Sequence, residues 1–136
     1  MAIKRNGSCL CGAVTFSVEG DFDAFFLCHC SRCRKGTGSA HAANLFSNSA
    51  QVSWLSGADL VQRFDLPDTR HSRSFCGTCG CAVPLVTPGT SMIVVPAGCL
   101  DDAVGMPPNA HISMASRADW DDKLETLPKL DGMPGA

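Results

Sequence analysis

Seven of the nine cysteines fall into three tight groups, a spacing that is typical of metal binding or thiol chemistry. Thiolates are good ligands for zinc, which takes four ligands in a tetrahedron at structural sites. Of the other two cysteines, Cys81 directly follows the third group and Cys99 stands alone. The three groups are Cys9-Leu10-Cys11-Gly12, Cys28-His29-Cys30-Ser31-Arg32-Cys33 and Cys76-Gly77-Thr78-Cys79-Gly80.

The first and third groups are pairs that together supply four thiolates. A Cys-x-x-Cys turn can put two thiolates on one ion, and a glycine after it permits the positive φ that such a turn often needs. Cys76 and Cys79 with Gly80 fit this description. Cys9 and Cys11, in an extended segment, would project to one face. Two such pairs complete a structural zinc site, but spacing alone does not decide whether the first pair joins the third group or the middle one.

The middle group places three thiolates, Cys28, Cys30 and Cys33, within six residues. One short loop can therefore supply three ligands and leave the fourth position of a zinc ion open. This is the layout of a catalytic zinc, where water or substrate takes the open position. The alternative is a second structural site that is completed by Cys81, by Cys99 or by a histidine.

Three cations, Arg32, Arg34 and Lys35, accompany the middle group. Three thiolates on Zn²⁺ leave a net charge of about −1, which these side chains could offset. They could also receive an anionic substrate, or simply form a solvated surface turn.

The four histidines carry a weaker signal. His29 lies between two of the proposed ligands, so strand alternation would point it away from their metal. A surface or hydrogen-bonded side chain is the favoured interpretation, and a general base or substrate contact is the alternative. His41, His71 and His111 fall in predicted strands, where an ordinary structural side chain is expected.

The rest of the chain consists of short apolar runs separated by Gly and Pro turns. Alternation at Val14–Val18 predicts a half-buried strand, and no helical period extends over about 11 or more residues. We therefore predict an all-β domain, mainly β with few short helical turns, one of them at Asp101–Gly105. The other predicted strands are Phe22–Leu27, Ala40–Phe46, Val52–Leu55, Leu60–Phe64, His71–Phe75, Ala82–Val86, Met92–Val95 and a last one around His111–Ser113.

Length and composition predict one zinc-binding domain over residues 1–136, with a polar tail from about residue 121. Leu, Ile, Val and Phe together number only 30, so we expect bound metal to supplement a lean core.

Charge and hydropathy exclude several classes of function. A net charge of −2 argues against a nucleic-acid partner, and no apolar run approaches the roughly 18 residues of a membrane span. Lys4 and Arg5 are not followed by the apolar stretch of a secretory signal. We therefore expect a cytoplasmic protein with reduced cysteines.

Taken together, these motifs resemble the glutathione-dependent formaldehyde-activating enzyme family, which includes centromere protein V-like proteins. The resemblance covers nearly the whole chain. Its motifs are Gly7-Ser8-Cys9-Leu10-Cys11-Gly12-Ala13-Val14-Thr15-Phe16, Cys28-His29-Cys30-Ser31-Arg32-Cys33-Arg34-Lys35, Phe75-Cys76-Gly77-Thr78-Cys79-Gly80, Ala97-Gly98-Cys99-Leu100-Asp101-Asp102, His111-Ile112, Ala118-Asp119-Trp120 and Asp131-Gly132-Met133-Pro134.

The resemblance implies a zinc-stabilised β fold of the Mss4-like type and two zinc sites. Members are named for joining formaldehyde to glutathione, which gives S-(hydroxymethyl)glutathione and makes them carbon–sulfur lyases in reverse. The implied partners are a small aldehyde and a thiol, bound near the three cations. By the family pattern the structural zinc is held by Cys9, Cys11, Cys76 and Cys79, and the second, catalytic and more labile zinc by Cys28, Cys30 and Cys33.

Two other classes of function stay open at this point. One is a non-enzymatic, zinc-stabilised binding module, and the other is a thiol redox or metal-buffering protein. Cys81 and Cys99 depart from the family pattern, which commonly has Ser or another small residue and Thr there. Either could add a thiol near a zinc, although a buried thiol is the simpler interpretation of Cys99.

Overall fold

A computed structural model describes residues 3–135, which form ten short strands and one α-helix. Within that range no helix is long and apolar enough to cross a membrane. The elements are β1 (Lys4–Ser8), β2 (Thr15–Glu19), β3 (Ala24–Cys28), α1 (Ser31–Thr37), β4 (Ala42–Ser47), β5 (Gln51–Ser56), β6 (Val61–Asp65), β7 (Ser72–Cys76), β8 (Leu85–Val86), β9 (Ile93–Pro96) and β10 (Ala110–Ile112).

The strands form three sheets, in the orders β1-β2-β5, β10-β3-β4-β9-β8 and β6-β7. All pairs are antiparallel except β10 with β3, which run parallel with Ile112 opposite Cys28. Because β3 leads directly into the middle cysteine group, this pairing brings the C-terminal part of the chain beside that group.

The main core joins the three-stranded and five-stranded sheets. Phe16 of β2, Leu45 of β4 and Val95 of β9 are fully buried in it, and Trp54 of β5 meets the Phe16 ring edge-on with 5.9 Å between ring centroids. The ring of Phe16 lies directly against the backbone at Gly7, where a Cβ would overlap it. Glycine is therefore required at this position of β1.

A second, smaller core lies under the first and third cysteine groups. Val14 and Val83 are almost fully buried there, together with Cys9 and Cys76. Half of this small core consists of thiols. Whether those thiols are free or bound to metal therefore affects the stability of the core directly.

The structure confirms the all-β prediction and the order of the predicted strands. The narrower Mss4-like assignment stays a prediction. Two elements were not predicted from sequence, β1 and α1. The helical turn expected at Asp101–Gly105 is wrong: this segment forms a bend whose amides at Asp101 and Asp102 donate to the carbonyl of Asn6.

Candidate metal centres and the adjoining cavity

The structure brings Cys9, Cys11, Cys76 and Cys79 together where β1 and β7 end. The first pair lies in a tight turn, in which Gly12 has φ of 80° and its N–H donates to the Cys9 carbonyl over 3.0 Å. The extended segment expected there is wrong, because the chain reverses within this turn to enter β2.

The turn at the third group has the expected form. Gly80 has φ of 76°, and its N–H donates to the Cys76 carbonyl over 2.8 Å. A second N–H, that of Thr78, donates to the Cys76 sulfur over 3.4 Å. Backbone N–H groups aimed at sulfur stabilise a thiolate, which is the form that binds metal.

The separations of the four sulfur atoms fit one tetrahedral zinc ion. All four lie within 4.8 Å of one another, with 3.6 Å between Cys9 and Cys11 and 4.0 Å between Cys11 and Cys76. Sulfurs that are each roughly 2.3 Å from one ion lie roughly 3.8 Å apart at tetrahedral angles. Backbone N–H groups of Cys81 and Cys11 lower the pKa of Cys79 to about 6, so one ligand is ready as a thiolate at neutral pH.

The second cluster is Cys28, Cys30 and Cys33, whose sulfurs also lie within 4.8 Å of one another. Cys28 ends β3 and Cys30 is the N-cap of α1, with its sulfur accepting the Cys33 N–H over 3.3 Å. The helix closes after two turns at Gly38, which has φ of 67°. A strand end followed by a capped helix thus holds three half-buried thiols together, and this donor set fits a zinc with three protein ligands.

The thiols of this cluster do not ionise with equal ease. Burial opposes ionisation of Cys30, but N–H groups at Cys33 and Arg32 and the neighbouring thiols outweigh it and lower the pKa of Cys30. Burial, followed by the proximity of the other two sulfurs, raises the pKa of Cys33. A bound cation would favour the fully ionised set, because metal binding displaces the thiol protons.

A cavity of about 230 Å³ adjoins this second cluster, between α1 and strands β4, β7 and β9. Its polar lining includes Cys33 of the cluster, Arg32, His71 and Arg73. Gly36 of α1 leaves room for Arg73, since a Cβ there would lie 3.2 Å from its Cδ. Apolar walls are contributed by Ala42, Ala43, Val83, Leu85, Val94 and Pro96.

Charge in this cavity comes from its two arginines. Burial lowers the pKa of His71, and the charges of Arg32 and Arg73 lower it further, so the imidazole is neutral at pH 7. With two arginines in its lining, the cavity offers positive charge and suits an anionic ligand.

The three predicted substrate cations take different positions. Arg32 lines the cavity, whereas the Arg34 side chain donates from Nε to the Ser116 carbonyl over 3.1 Å and Lys35 is exposed. Arg73 was not identified from sequence, because a single cation inside a predicted strand gives no sign of the face on which it lies.

Three of the four histidines form a cluster that sequence spacing did not indicate. His29 is 1% exposed, with its ring centroid 5.0 Å from that of His111 and 5.1 Å from that of His41. Burial is the first cause that lowers the pKa of His41, and the adjacent His29 and His111 lower it further. His29 and His111 are 82 positions apart in the chain, so only the parallel pairing of β10 with β3 reveals their contact.

The two remaining cysteines lie outside both clusters. Cys99 is buried and its thiol donates to the Pro96 carbonyl over 3.0 Å, which confirms the buried-thiol interpretation. Burial raises the pKa of this thiol to about 12. Cys81 is half-buried and donates to the Ala82 carbonyl over 3.4 Å.

Known proteins are similar in sequence and fold to the chain that carries this geometry. Residues 4–116 match the family model described as glutathione-dependent formaldehyde-activating enzyme. A protein of Halomonas elongata that carries this same description as a provisional name is 32% identical over 124 residues, which cover 84% of this chain and 77% of that protein. The crystal structure of a Rhodobacter sphaeroides protein matches with a TM-score of 0.55 and 25% identity, over 76% of this chain and 97% of the other.

Proposed function

The chain belongs to the glutathione-dependent formaldehyde-activating enzyme family, and from this membership we propose that it adds a thiol to a small aldehyde. The thiol is glutathione or a similar molecule, and the aldehyde is formaldehyde or one close to it in size. In the reverse direction the same activity is that of a carbon–sulfur lyase.

One observation carries this proposal: a three-thiol cluster borders a cavity that contains two arginines. Cys33 belongs to the cluster and also lines the cavity, together with Arg32 and Arg73. A thiol substrate with carboxylates could thus place its acidic end on the guanidinium groups and its sulfur near the cluster. Such a division of roles, with apolar walls and few polar contacts, is usual for small-molecule sites.

Zinc held by Cys28, Cys30 and Cys33 would supply a Lewis acid with one open position and would favour ionisation of a nearby thiol. The protein's own residues do the rest. Arg32 and Arg73 bind and orient the substrate's carboxylates by charge-assisted hydrogen bonds. The apolar side chains of the cavity wall lower the local dielectric constant, which strengthens those contacts.

The overall step conserves atoms and electrons. The substrate's sulfur forms a bond to the aldehyde carbon as the π bond of the carbonyl breaks. The proton lost by the thiol is recovered on the new hydroxyl oxygen, and nothing is oxidised or reduced. The product is a hemithioacetal, and reversal of the same step releases the aldehyde.

The four-cysteine cluster is assigned a structural role. It lies in the smaller core, with Cys9 and Cys76 buried, and its four thiolates leave no position for substrate on a tetrahedral ion. We propose that residues 1–136 act as one zinc-binding domain, and that the protein works in the cytoplasm, where its thiols stay reduced.

Exchange NMR with isotopically labelled formaldehyde and glutathione tests the proposed function. The wild-type protein should accelerate interconversion of free aldehyde and hemithioacetal above the buffer rate. Cys30→Ser should return the exchange to the buffer rate, because it removes one of three ligands. Cys81→Ser is the matched control: it also replaces a half-buried thiol, but one outside both clusters, and should keep the wild-type rate.

Full acceleration by Cys30→Ser would contradict the proposal, as would a wild-type protein that never exceeds the buffer rate. In the second case, thiol titration with and without a chelator would separate the two other classes of function. Thiols released only by the chelator would indicate a zinc-stabilised binding module, and reversible disulfides would indicate redox chemistry.

A further inference from the structure

His29 lies in the middle of the three-cysteine loop but belongs to the interior of the protein. Its neighbours Cys28 and Cys30 are half-buried, whereas its own side chain is 1% exposed. Its backbone N–H donates to the Ile112 carbonyl over 2.9 Å, which continues the contact between β3 and β10. The ring therefore attaches the loop to the interior of the protein.

Each ring nitrogen of His29 has a polar atom close to it. Nε2 lies 2.9 Å from Nδ1 of His111, and Nδ1 lies 2.8 Å from Oδ2 of Asp121. The second contact is not a straight hydrogen bond, and among the described residues neither of its two atoms has a hydrogen-bond partner, although both are closed to solvent. The buried ring of His29 therefore lies between His111 on one side and Asp121 on the other.

Both partners come from one segment, residues 110–121, which we call the C-terminal strap. Two further contacts join the strap to the cluster and its helix. The Cys28 thiol lies 3.9 Å from the hydroxyl of Ser113, and Arg34 of α1 donates to the Ser116 carbonyl. The strap thus touches the strand end, the loop and the helix that carry the three thiols.

We propose that Asp121 is a positioning residue which, through the buried ring of His29, fixes the loop that carries Cys28, Cys30 and Cys33. This inference rests on the proposed role of that cluster as a metal site. The family match ends at residue 116, before Asp121, so membership by itself does not assign the contact.

The physical reason is that a buried ring with His111 against one nitrogen and Asp121 against the other has one orientation. With His29 fixed, the backbone between Cys28 and Cys30 is fixed as well, and the sulfurs keep the spacing that a metal needs. Loss of Asp121 removes the carboxylate that lies against this buried nitrogen, and the loop can then relax toward water. Groups that orient metal ligands in this indirect way commonly change metal affinity by about 10–100-fold.

Zinc release to a chromogenic chelator tests this role in the full-length, zinc-loaded protein. Two phases are expected, one from each cluster, and Cys30→Ser identifies the phase of the three-cysteine cluster by removing it. Asp121→Ala should accelerate that phase about tenfold or more and leave the other unchanged. Asp121→Asn should restore most of the wild-type rate, because an amide of the same shape keeps a polar oxygen in contact with Nδ1.

The matched control is Asp122→Ala, which removes the exposed carboxylate of the next residue and should change neither phase. An unchanged rate of zinc release from the three-cysteine cluster in Asp121→Ala would overturn the inference. So would equal acceleration of both phases with a lower Tm, because that marks general destabilisation. If Asp121→Ala does not fold, His111→Ala is judged by the same criteria. A wild-type protein that releases a single zinc in one phase would instead refute the proposed function.

Discussion

At the scale of the residue, the two arginines that line the cavity allow substrate binding to be tested apart from the chemical step. Arg73 approaches the cavity from β7, and its guanidinium carbon lies 5.9 Å from the centroid of the Phe75 ring. Arg32 approaches from α1 and directly precedes Cys33 of the cluster in the chain. The strand arginine is therefore the more remote of the two from the cluster in sequence, and it is the better probe of substrate binding alone.

We predict that Arg73→Gln raises KM for glutathione about tenfold and leaves kcat nearly unchanged. The substitution removes a charged hydrogen bond that the enzyme makes equally with the bound substrate and with the transition state, so KM rises while kcat does not change. Steady-state kinetics at varied glutathione concentration measures the changes in KM and kcat separately. Arg70→Gln, which removes an exposed cation from outside the cavity lining, should behave as wild type. A fall in kcat at unchanged KM would show that Arg73 does not serve in binding.

At the scale of the element, the cysteine turns depend on glycines with positive φ. Gly12 and Gly80 follow the first and third cysteine groups with φ of 80° and 76°. At both, a Cβ would meet nothing within 4 Å, so the requirement is conformational and not steric. The backbone of these turns thus demands glycine even where space is free.

Gly80→Ala should therefore lower the free energy of unfolding by about 1 kcal/mol, the cost of a left-handed residue with a side chain. Chemical denaturation of the zinc-loaded protein measures it. Gly98→Ala is the control, because its Cβ would also lie in open space but its φ is not in the left-handed region. Equal stability of the two variants would show that the turn at Gly80 tolerates an L-residue.

Elements were predictable from sequence where a local pattern marked them. Alternation identified β2, and the Cys-x-x-Cys-Gly spacing identified the turn after β7. Helix α1 has only seven residues, too few to show a period, and β1 consists largely of polar residues and glycine. Neither element shows a local apolar pattern: β1 forms by pairing with β2, and α1 begins at the sulfur cap of Cys30 directly before it.

At the scale of the whole molecule, the site is assembled from distant parts of the chain. The ligand groups were visible in sequence, since their spacing is local. The cavity and the histidine cluster were not, because Arg73 and His111 reach the middle cysteine group only through the sheets. Sequence therefore indicated which atoms could bind metal, whereas the fold reveals what lies around them.

The two clusters also have different places in the molecule. The four-cysteine cluster lies in a small core with Val14 and Val83, and the three-cysteine cluster borders the cavity through Cys33. Loss of metal from the first should therefore loosen the fold, whereas loss from the second should leave the fold and remove the activity. We therefore propose a structural role for the first cluster and a catalytic role for the second.

The zinc content per chain, measured in freshly purified, reduced protein, tests this difference between the two clusters. The same measurement is made on the triple variant Cys28→Ser, Cys30→Ser and Cys33→Ser. We predict about two zinc ions in the wild type and about one in the variant, because each cluster offers the ligands of one ion. The far-UV circular dichroism of the variant should match that of the wild type. About one zinc in both proteins, with no uptake when zinc is added, would contradict a second metal site.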